Sequence, residues 1–216
     1  NGDLGYTPEN IYSMISDSLV AAGISTIRFD FDGHGKSDGN FSDMDVLREI
    51  EDAIAILKYA RTLDFVTDIY VIGHSQGGVV GGMLSGLYPD AVSRLVLLAA
   101  AATLKDDAAR GTCMGVQYDT EHIPDIVVLN EGKTKVGGHY FRIAKNLPVY
   151  EVTSNYSGKS LIVYGGKDTV VNETAAKRYS EVLRDNRLQK YNELDHCLEG
   201  NDQKNLITDI VKFLKS

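Results

Sequence analysis

The residues best suited to chemistry in this chain form the pentapeptide Gly73-His74-Ser75-Gln76-Gly77, which fits the pattern Gly-x-Ser-x-Gly. It follows an apolar run typical of a buried strand and precedes a run of small residues typical of a helix. On such a turn the serine backbone is strained, and the hydroxyl projects above the sheet at the positive end of the helix. This context predicts that Ser75 is a nucleophile and that the backbone N–H of Gln76 stabilises an oxyanion. The alternative is a glycine-rich turn without a chemical role.

A general base and an acid must accompany this serine, because a serine hydroxyl is a weak nucleophile at neutral pH. In sites of this kind the acid and then the histidine follow the serine along the chain. Asp168 follows a late apolar run, and His196 follows the next predicted strand, 188–193. Their order predicts that His196 is the general base for Ser75 and that Asp168 orients His196. Asp195 is a competing acid beside His196, but adjacent loop residues point in different directions.

The other histidines lack the spacing of a metal site. Neither His-Glu-x-x-His nor paired Cys/His spacing occurs at His34, His74, His122 or His139. We therefore expect no metal and no other cofactor. His74, inside the pentapeptide, is interpreted as a packing residue or as an edge of the pocket.

Length and composition are those of one globular domain, with 216 residues, 43% of them hydrophobic, and a formal charge of −8. The excess of acidic residues disfavours nucleic acid and anionic membranes as partners, because both would be repelled. No apolar run is long enough to span a bilayer, and the longest, 95–102, has the length of a strand. Two cysteines are too few for a disulfide framework, which favours a reducing compartment, the cytoplasm. A single structural bridge stays open.

Helical and strand patterns alternate along the chain. The predicted helices are 8–22, 43–61, 78–88, 172–184 and 202–214, and the predicted strands are 24–31, 68–72, 94–100, 160–164 and 188–193. Strands joined by helices imply parallel pairing, and nearly unbroken apolar strands imply a sheet covered on both faces. The sequence therefore predicts an α/β fold with a mostly parallel sheet and helices on both of its faces.

The stretch 104–156 breaks this alternation. It is rich in glycine, proline and aromatic residues and has a hairpin signal at 130–133. A long segment outside the α/β pattern is often functional, so we predict a small inserted lid, the alternative being a loop without a function. The predicted organisation is a core in two parts, 1–103 and 157–216, with the lid at 104–156 between them.

Several segments resemble the bacterial cinnamoyl (feruloyl) esterases of the α/β-hydrolase superfamily. The similar segments are 29–39, 73–78, 101–104, 122–125 and 168–171. The resemblance extends over nearly the whole chain, including the inserted segment. It implies an α/β-hydrolase fold and a bacterial, cytoplasmic enzyme. Its small-molecule partner would be an aromatic ester of ferulate, caffeate or p-coumarate, hydrolysed through an acyl-enzyme.

The same resemblance implies a binding site for the aromatic ring of the substrate. In this family the lid covers the acyl pocket, and its polar side chains contact the ring hydroxyls. The matching positions are Asp107 and Tyr140, and Met114 stands where the family often has glutamine. This departure implies broader specificity. The alternatives are a solvated loop acid at Asp107 and a core tyrosine at Tyr140.

The N-terminus departs most from the family pattern. A His-Gly-aromatic turn supplies the second oxyanion donor in the family, and the matching position near Asn1-Gly2-Asp3 does not preserve that motif. The family also has a strand between the segments that match 24–31 and 69–72. We therefore predict that a preceding segment or a second chain, such as a homodimer partner, supplies the N-terminal strands.

Two alternatives to an esterase remain open from the sequence. A peptidase or a thioesterase would use the same Ser-His-Asp arrangement. A catalytically weak ligand-binding module on a hydrolase fold is the other alternative. The complete set of Ser75, His196 and Asp168 argues against such a module, and the altered N-terminal turn argues for it.

Overall fold

The structure is a computed structural model that describes residues 10–216. Its α-helices in chain order are α1 (Ile11–Ala21), α2 (Val46–Ala60), α3 (Gln76–Leu87), α4 (Thr103–Arg110), α5 (Gly138–Ala144), α6 (Val149–Thr153), α7 (Thr174–Val182) and α8 (Gln203–Lys215). Its strands are β1 (Tyr70–His74), β2 (Arg94–Leu98), β3 (Thr112–Cys113), β4 (Val116–Gln117), β5 (Ile126–Leu129), β6 (Thr134–Gly137), β7 (Lys159–Gly165) and β8 (Asp185–Tyr191).

The central sheet has the strand order β1-β2-β7-β8, and every pair in it is parallel. Strand β2 lies inside the sheet, and its side chains alternate between two apolar layers. Leu95 and Leu97 belong to one hydrophobic cluster, whereas Val96 and Leu98 belong to the other. All four side chains are fully buried. A strand that is apolar on both faces must be covered on both faces. The parallel sheet and its order confirm the predicted α/β fold.

Helices supply both covers. One face of the sheet is covered by α2, α3 and α7 together with the segment between β2 and β7. The other face is covered by α1 and α8, which contribute Ile11, Ile15, Leu206 and Ile210 to the second cluster. These side chains recur at helical spacing, so each helix buries one apolar stripe.

Helix α2 begins three residues later than predicted, at Val46. The cause is Asp45, whose Oδ1 accepts hydrogen bonds from the backbone N–H groups of Leu47 (2.8 Å) and Arg48 (3.0 Å). An aspartate in this position satisfies N–H groups that have no partner inside the helix. The cap sets the phase of α2 and turns Glu49 towards the core, where it is 2% exposed.

The prediction of a strand at 24–31 is wrong for the described structure. These residues belong to no helix or strand, and Ile27 and Phe29 are 46% and 38% exposed. A strand exists only where another strand pairs with its backbone, and none does so here within residues 10–216. Strand β1 likewise pairs only with β2 among the described strands. That a further strand from a preceding segment or a second chain pairs with these residues stays a prediction.

The segment between β2 and β7 contains two antiparallel hairpins and three short α-helices. The hairpin expected at 130–133 is present as β5 and β6. The segment has no separate core, because Val127, Val136 and Phe141 belong to the same cluster as residues of α2 and α3. Helix α6 packs so closely on α3 that a Cβ added at Gly86 would lie 2.0 Å from the carbonyl oxygen of Val152.

Two further features are the length of the helices and the state of the two cysteines. None of the helices within residues 10–216 has both the length and the apolar character to cross a bilayer. Cys113 and Cys197 are both free, so the possible structural bridge between them does not form.

Candidate active site

Ser75 lies on a sharp turn between β1 and α3, with φ 53° and ψ −126°. This conformation is unfavourable for a residue with a side chain, and the surrounding backbone holds it. The Ser75 N–H donates to the carbonyl oxygen of Leu98 (2.9 Å). The Ser75 carbonyl oxygen accepts from the N–H groups of Gly78 (2.9 Å) and Ala101 (3.0 Å). The turn is therefore fixed to the end of β2 as well as to its own helix.

Glycine is required at two positions around this turn. A Cβ at Gly73 would lie 2.2 Å from the carbonyl oxygen of Gly77, and a Cβ at Gly78 would lie 2.5 Å from the Cβ of Ala100. A Cβ at Gly77 would meet nothing within 4 Å. The close approach of helix and strand therefore depends on Gly73 and on Gly78, which lies outside the five-residue pattern.

His196 connects Ser75 to Asp168. Its Nε2 lies 2.9 Å from Ser75 Oγ, and its Nδ1 lies 2.9 Å from Asp168 Oδ2. A carboxylate only accepts hydrogen bonds, so Nδ1 carries the proton and Nε2 accepts from the serine hydroxyl. The loops after β1, β7 and β8 meet at the carboxyl edge of the sheet. This is the geometry of a Ser-His-Asp triad.

Asp168 is held as a buried carboxylate. Its side chain is 3% exposed, and its Oδ1 accepts from the N–H groups of Val170 (2.8 Å) and Val171 (2.9 Å). Burial by itself would raise the pKa of Asp168, but the hydrogen bonds from His196, Val171 and Val170 outweigh it and lower that pKa. The competing acid, Asp195, instead accepts from the N–H of Glu199 in its own loop (2.9 Å).

The backbone N–H of Gln76 begins α3 and is available for an oxyanion. The first N–H groups of a helix have no partner inside it, and the helix dipole favours negative charge there. Because a peptide is planar and trans, the bonds that hold the Ser75 carbonyl oxygen also fix the opposite direction of the Gln76 N–H. The second donor expected near Asn1-Gly2-Asp3 lies outside the described residues.

His74 connects two parts of the site, a role that its interpretation as a packing residue or as an edge of the pocket did not include. Its Nε2 lies 2.7 Å from the carbonyl oxygen of His196, and its Nδ1 lies 2.6 Å from the hydroxyl of Tyr12. A carbonyl oxygen only accepts, so Nε2 donates and Nδ1 accepts from the tyrosine. His74 thus ties the loop of His196 to β1 and α1. The available signal was its place immediately before Ser75, at the sheet edge where that loop must arrive.

His74 is expected to make the fold sensitive to acid. Burial lowers its pKa to about 4, against the opposing hydrogen bond to the His196 carbonyl. The unfolded chain therefore takes up this proton near pH 6.5, whereas the folded protein does so only near pH 4, so stability falls as the pH falls through that window. The melting temperature is expected to drop between pH 7 and pH 5, and to drop less in His74→Phe, which cannot titrate.

The matched control for this effect is His122→Phe, because the His122 side chain is 83% exposed. This variant should keep the pH dependence of the wild type. An equal drop in melting temperature for the wild type and His74→Phe would contradict the assignment.

The three residues expected at the aromatic ring lie in different surroundings. Tyr140 is 7% exposed, and its hydroxyl donates to Gln76 Oε1 (2.7 Å), beside the nucleophile. Asp107 lies on α4 and pairs with Arg110. Met114 is 65% exposed at the tip of the β3–β4 hairpin. The structure thus brings Tyr140 to the side chain of Gln76, the residue after Ser75, and leaves Met114 exposed to solvent.

Asp107 nevertheless acts electrostatically on the interior of the inserted segment. Burial is the main cause that raises the pKa of Cys113 to about 11 and of Tyr118 to about 12, and the charge of Asp107 adds to both. It also adds to the raised pKa of Tyr140, again after burial. Its carboxylate therefore lies near a half-buried group of side chains that extends from the β3–β4 hairpin to Tyr140.

Comparison with known proteins identifies the family. The model of the Hydrolase_4 family (serine aminopeptidase, S33) matches residues 9–140. The chain is similar to Est1E from Butyrivibrio proteoclasticus, solved with ferulic acid bound. The two are 31% identical, the match covers 99% of this chain and 85% of that one, and the TM-score is 0.93. No curated protein matches the chain.

More distant structures share the fold. A structure of the metagenome-derived lipolytic enzymes LipS and LipT is 15% identical, with a TM-score of 0.78 over 99% of this chain and 90% of that one. Mouse α/β hydrolase domain-containing protein 10 is 20% identical, with a TM-score of 0.73 over 98% and 87%. The match to Est1E confirms the resemblance to feruloyl esterases. The chain belongs to the Hydrolase_4 family of α/β-hydrolases and is a carboxylic ester hydrolase.

Proposed function

We propose that the protein is a serine carboxylesterase that hydrolyses esters of hydroxycinnamic acids through an acyl-enzyme on Ser75. The observation that carries this proposal is the continuous hydrogen-bonded path from Ser75 Oγ through His196 to Asp168. The Ser75 end of this path lies on the strained turn, where the N-terminus of α3 faces the negative charge that develops on the oxyanion. Such an arrangement activates a hydroxyl for acyl transfer.

The acylation half follows from the atoms in contact. His196 Nε2 accepts the Ser75 proton as Oγ attacks the ester carbonyl carbon, and the buried carboxylate of Asp168 stabilises the resulting imidazolium. The Gln76 N–H donates to the oxyanion. As the tetrahedral intermediate collapses, the imidazolium returns the proton to the alcohol oxygen, and the alcohol leaves.

Deacylation repeats these proton transfers, with water as the nucleophile and Ser75 Oγ as the leaving group. His196 Nε2 accepts a proton from a water molecule that attacks the acyl carbon, and the imidazolium then protonates Ser75 Oγ as the bond to the acyl group breaks. The products are the free carboxylic acid and the restored serine. Each step uses the same oxyanion donor, because both tetrahedral intermediates form at the same carbon.

The proposed acyl group is an aromatic acid of the kind bound by Est1E, the 31% identical structure solved with ferulic acid. We assign ring recognition to the inserted segment. The carboxylate of Asp107 accepts a hydrogen bond from a phenolic hydroxyl. Tyr140 gives its own proton to Gln76 and so offers only a lone pair. Met114, with its weakly polar thioether, broadens specificity where a glutamine amide would narrow it.

Substrate preference tests this assignment. Wild-type kcat/KM should be higher for methyl ferulate than for methyl butyrate, which has the same leaving group. Asp107→Ala should raise KM for methyl ferulate about tenfold or more, the usual effect of losing a hydrogen bond to a charged group. KM for methyl cinnamate, which has no ring hydroxyl, should not change. Initial rates over a range of substrate concentrations give all of these values.

The neighbouring acid on α4 provides the control. Asp106 pairs with Arg178 (3.3 Å), so Asp106→Ala should leave KM for methyl ferulate unchanged. Equal kcat/KM for methyl ferulate and methyl butyrate would contradict the proposed substrate class. Equal effects of Asp107→Ala on methyl ferulate and methyl cinnamate would contradict the role of Asp107.

A peptidase is the second candidate, because the matching family is described as serine aminopeptidase, S33. The same triad cleaves amides when an amine is the leaving group. Aminoacyl p-nitroanilides in the same assay distinguish the two activities. Turnover of these amides above that of methyl ferulate would favour the peptidase.

We also propose that the enzyme acts in the cytoplasm of a bacterium. The support is that both cysteines are free thiols, and Cys197 is exposed beside His196. Exposed thiols persist in a reducing compartment.

A further inference from the structure

The side chain of Gln76 is held at both ends by two other elements. Its Nε2 donates to Glu49 Oε2 on α2 (2.9 Å) and contacts Met44 Sδ (3.8 Å). Its Oε1 accepts from the hydroxyl of Tyr140 on α5 of the inserted segment (2.7 Å). The amide therefore has one defined orientation, set by an acceptor on one side and a donor on the other.

The acceptor in this network is a carboxyl group in the core. Glu49 is 2% exposed, and burial raises its pKa to about 7, although the hydrogen bond from Gln76 opposes that shift. His34 Nε2 lies 3.7 Å from its other oxygen. A buried carboxyl group costs free energy that an apolar side chain of similar size would not cost. Its hydrogen bond to Gln76, the residue that follows the nucleophile, points to a role in the site.

We propose that Glu49 and Tyr140 are positioning residues that hold Gln76 so that its backbone N–H stays directed at the oxyanion. The strained Ser75 backbone, with φ 53°, would relax by rotation of the Ser75–Gln76 peptide, which carries that N–H. The hydrogen bonds from the Gly78 and Ala101 N–H groups to the Ser75 carbonyl oxygen oppose this rotation at one end of the peptide. The Gln76 side chain, anchored from α2 and α5, opposes it at the other end. The inference rests on the proposed esterase function, since it concerns the oxyanion donor of the same site.

The inserted segment then contributes to the rate as well as to substrate choice. A tyrosine that acts only on a ring hydroxyl affects only substrates that have one. A tyrosine that acts through Gln76 affects the hydrolysis of every ester, because the oxyanion forms with every ester. p-Nitrophenyl acetate, which has no ring in its acyl part, separates these two roles.

The experiment measures kcat and KM for p-nitrophenyl acetate in Tyr140→Phe and Glu49→Leu. Both variants should lose about 10- to 100-fold in kcat with little change in KM, as expected when a donor used in the transition state is misplaced. Glu49→Gln, which keeps an acceptor oxygen for Gln76, should recover most of kcat. Glu51→Leu, on the exposed side of α2, is the matched control and should behave as the wild type.

Melting temperatures accompany each variant. If Glu49→Leu does not fold, Tyr140→Phe, which retains the buried ring, decides the question. An active wild type with unchanged kcat in Tyr140→Phe, or a Glu49→Gln variant as slow as Glu49→Leu, would overturn this inference alone. A wild type that hydrolyses no ester would overturn the proposed function and this inference together.

Discussion

Ser75→Ala should lower kcat for methyl ferulate by about 10⁶-fold, the usual loss when a triad serine is removed. The reason is that the variant lacks the hydroxyl that hydrogen bonds to His196 Nε2 (2.9 Å). The fold should persist, because the backbone hydrogen bonds of residue 75 to Leu98 and Ala101 do not involve its side chain. A fluorophosphonate probe, which reacts only with an activated serine, should label the wild type and leave the variant unlabelled.

Ser93 supplies the control for this experiment. It is an exposed serine whose hydroxyl donates to Asp68 (2.9 Å), and it precedes β2 at the opposite edge of the sheet from the turn at Ser75. Ser93→Ala should keep full activity and full labelling. Turnover near the wild-type value in Ser75→Ala would sink the acyl-enzyme mechanism.

Asp168→Asn should lower kcat by about 10⁴-fold with KM little changed. The N–H groups of Val170 and Val171 require an acceptor and would bind the new amide oxygen. The amide NH₂ would then face His196 Nδ1 and donate to it. With Nδ1 as an acceptor, the ring proton moves to Nε2, which can no longer take the serine proton. Steady-state kinetics with methyl ferulate measure the loss.

Asp195→Asn tests the competing acid with the same chemical change. The Asp195 Oδ1 accepts from the Glu199 N–H, a bond that an asparagine oxygen can also accept. This variant should keep kcat within a few-fold of the wild type. A loss as large as that of Asp168→Asn would show that the acid assignment is wrong.

Local patterns in the sequence predicted the elements that carry the site. The turn around Ser75 is encoded by residues next to one another, since Gly73 permits the close approach of helix and strand. Helices such as α8 bury one face because apolar residues recur at helical spacing. The order Ser75, Asp168, His196 was readable because parallel strands place all their following loops at one edge of the sheet.

The strand predicted at 24–31 shows the limit of such patterns. Its β-branched and aromatic residues favour an extended chain, but a strand also requires a neighbour in hydrogen-bonding position. Within residues 10–216 no strand pairs with it. Pairing joins residues distant in sequence, so periodicity along one segment cannot reveal it.

Only the tertiary structure decided which buried polar side chains meet. Glu49, Gln76 and Tyr140 lie on three elements and form one hydrogen-bonded network. His74 reaches the carbonyl oxygen of His196 across 122 residues of chain. These contacts depend on how α2, α5 and the loop after β8 pack around the turn at Ser75. Hydrogen bonds form only when donor and acceptor lie within about 3 Å in a suitable direction. The sequence determined which residues could do the chemistry, whereas packing decided which others hold them in place.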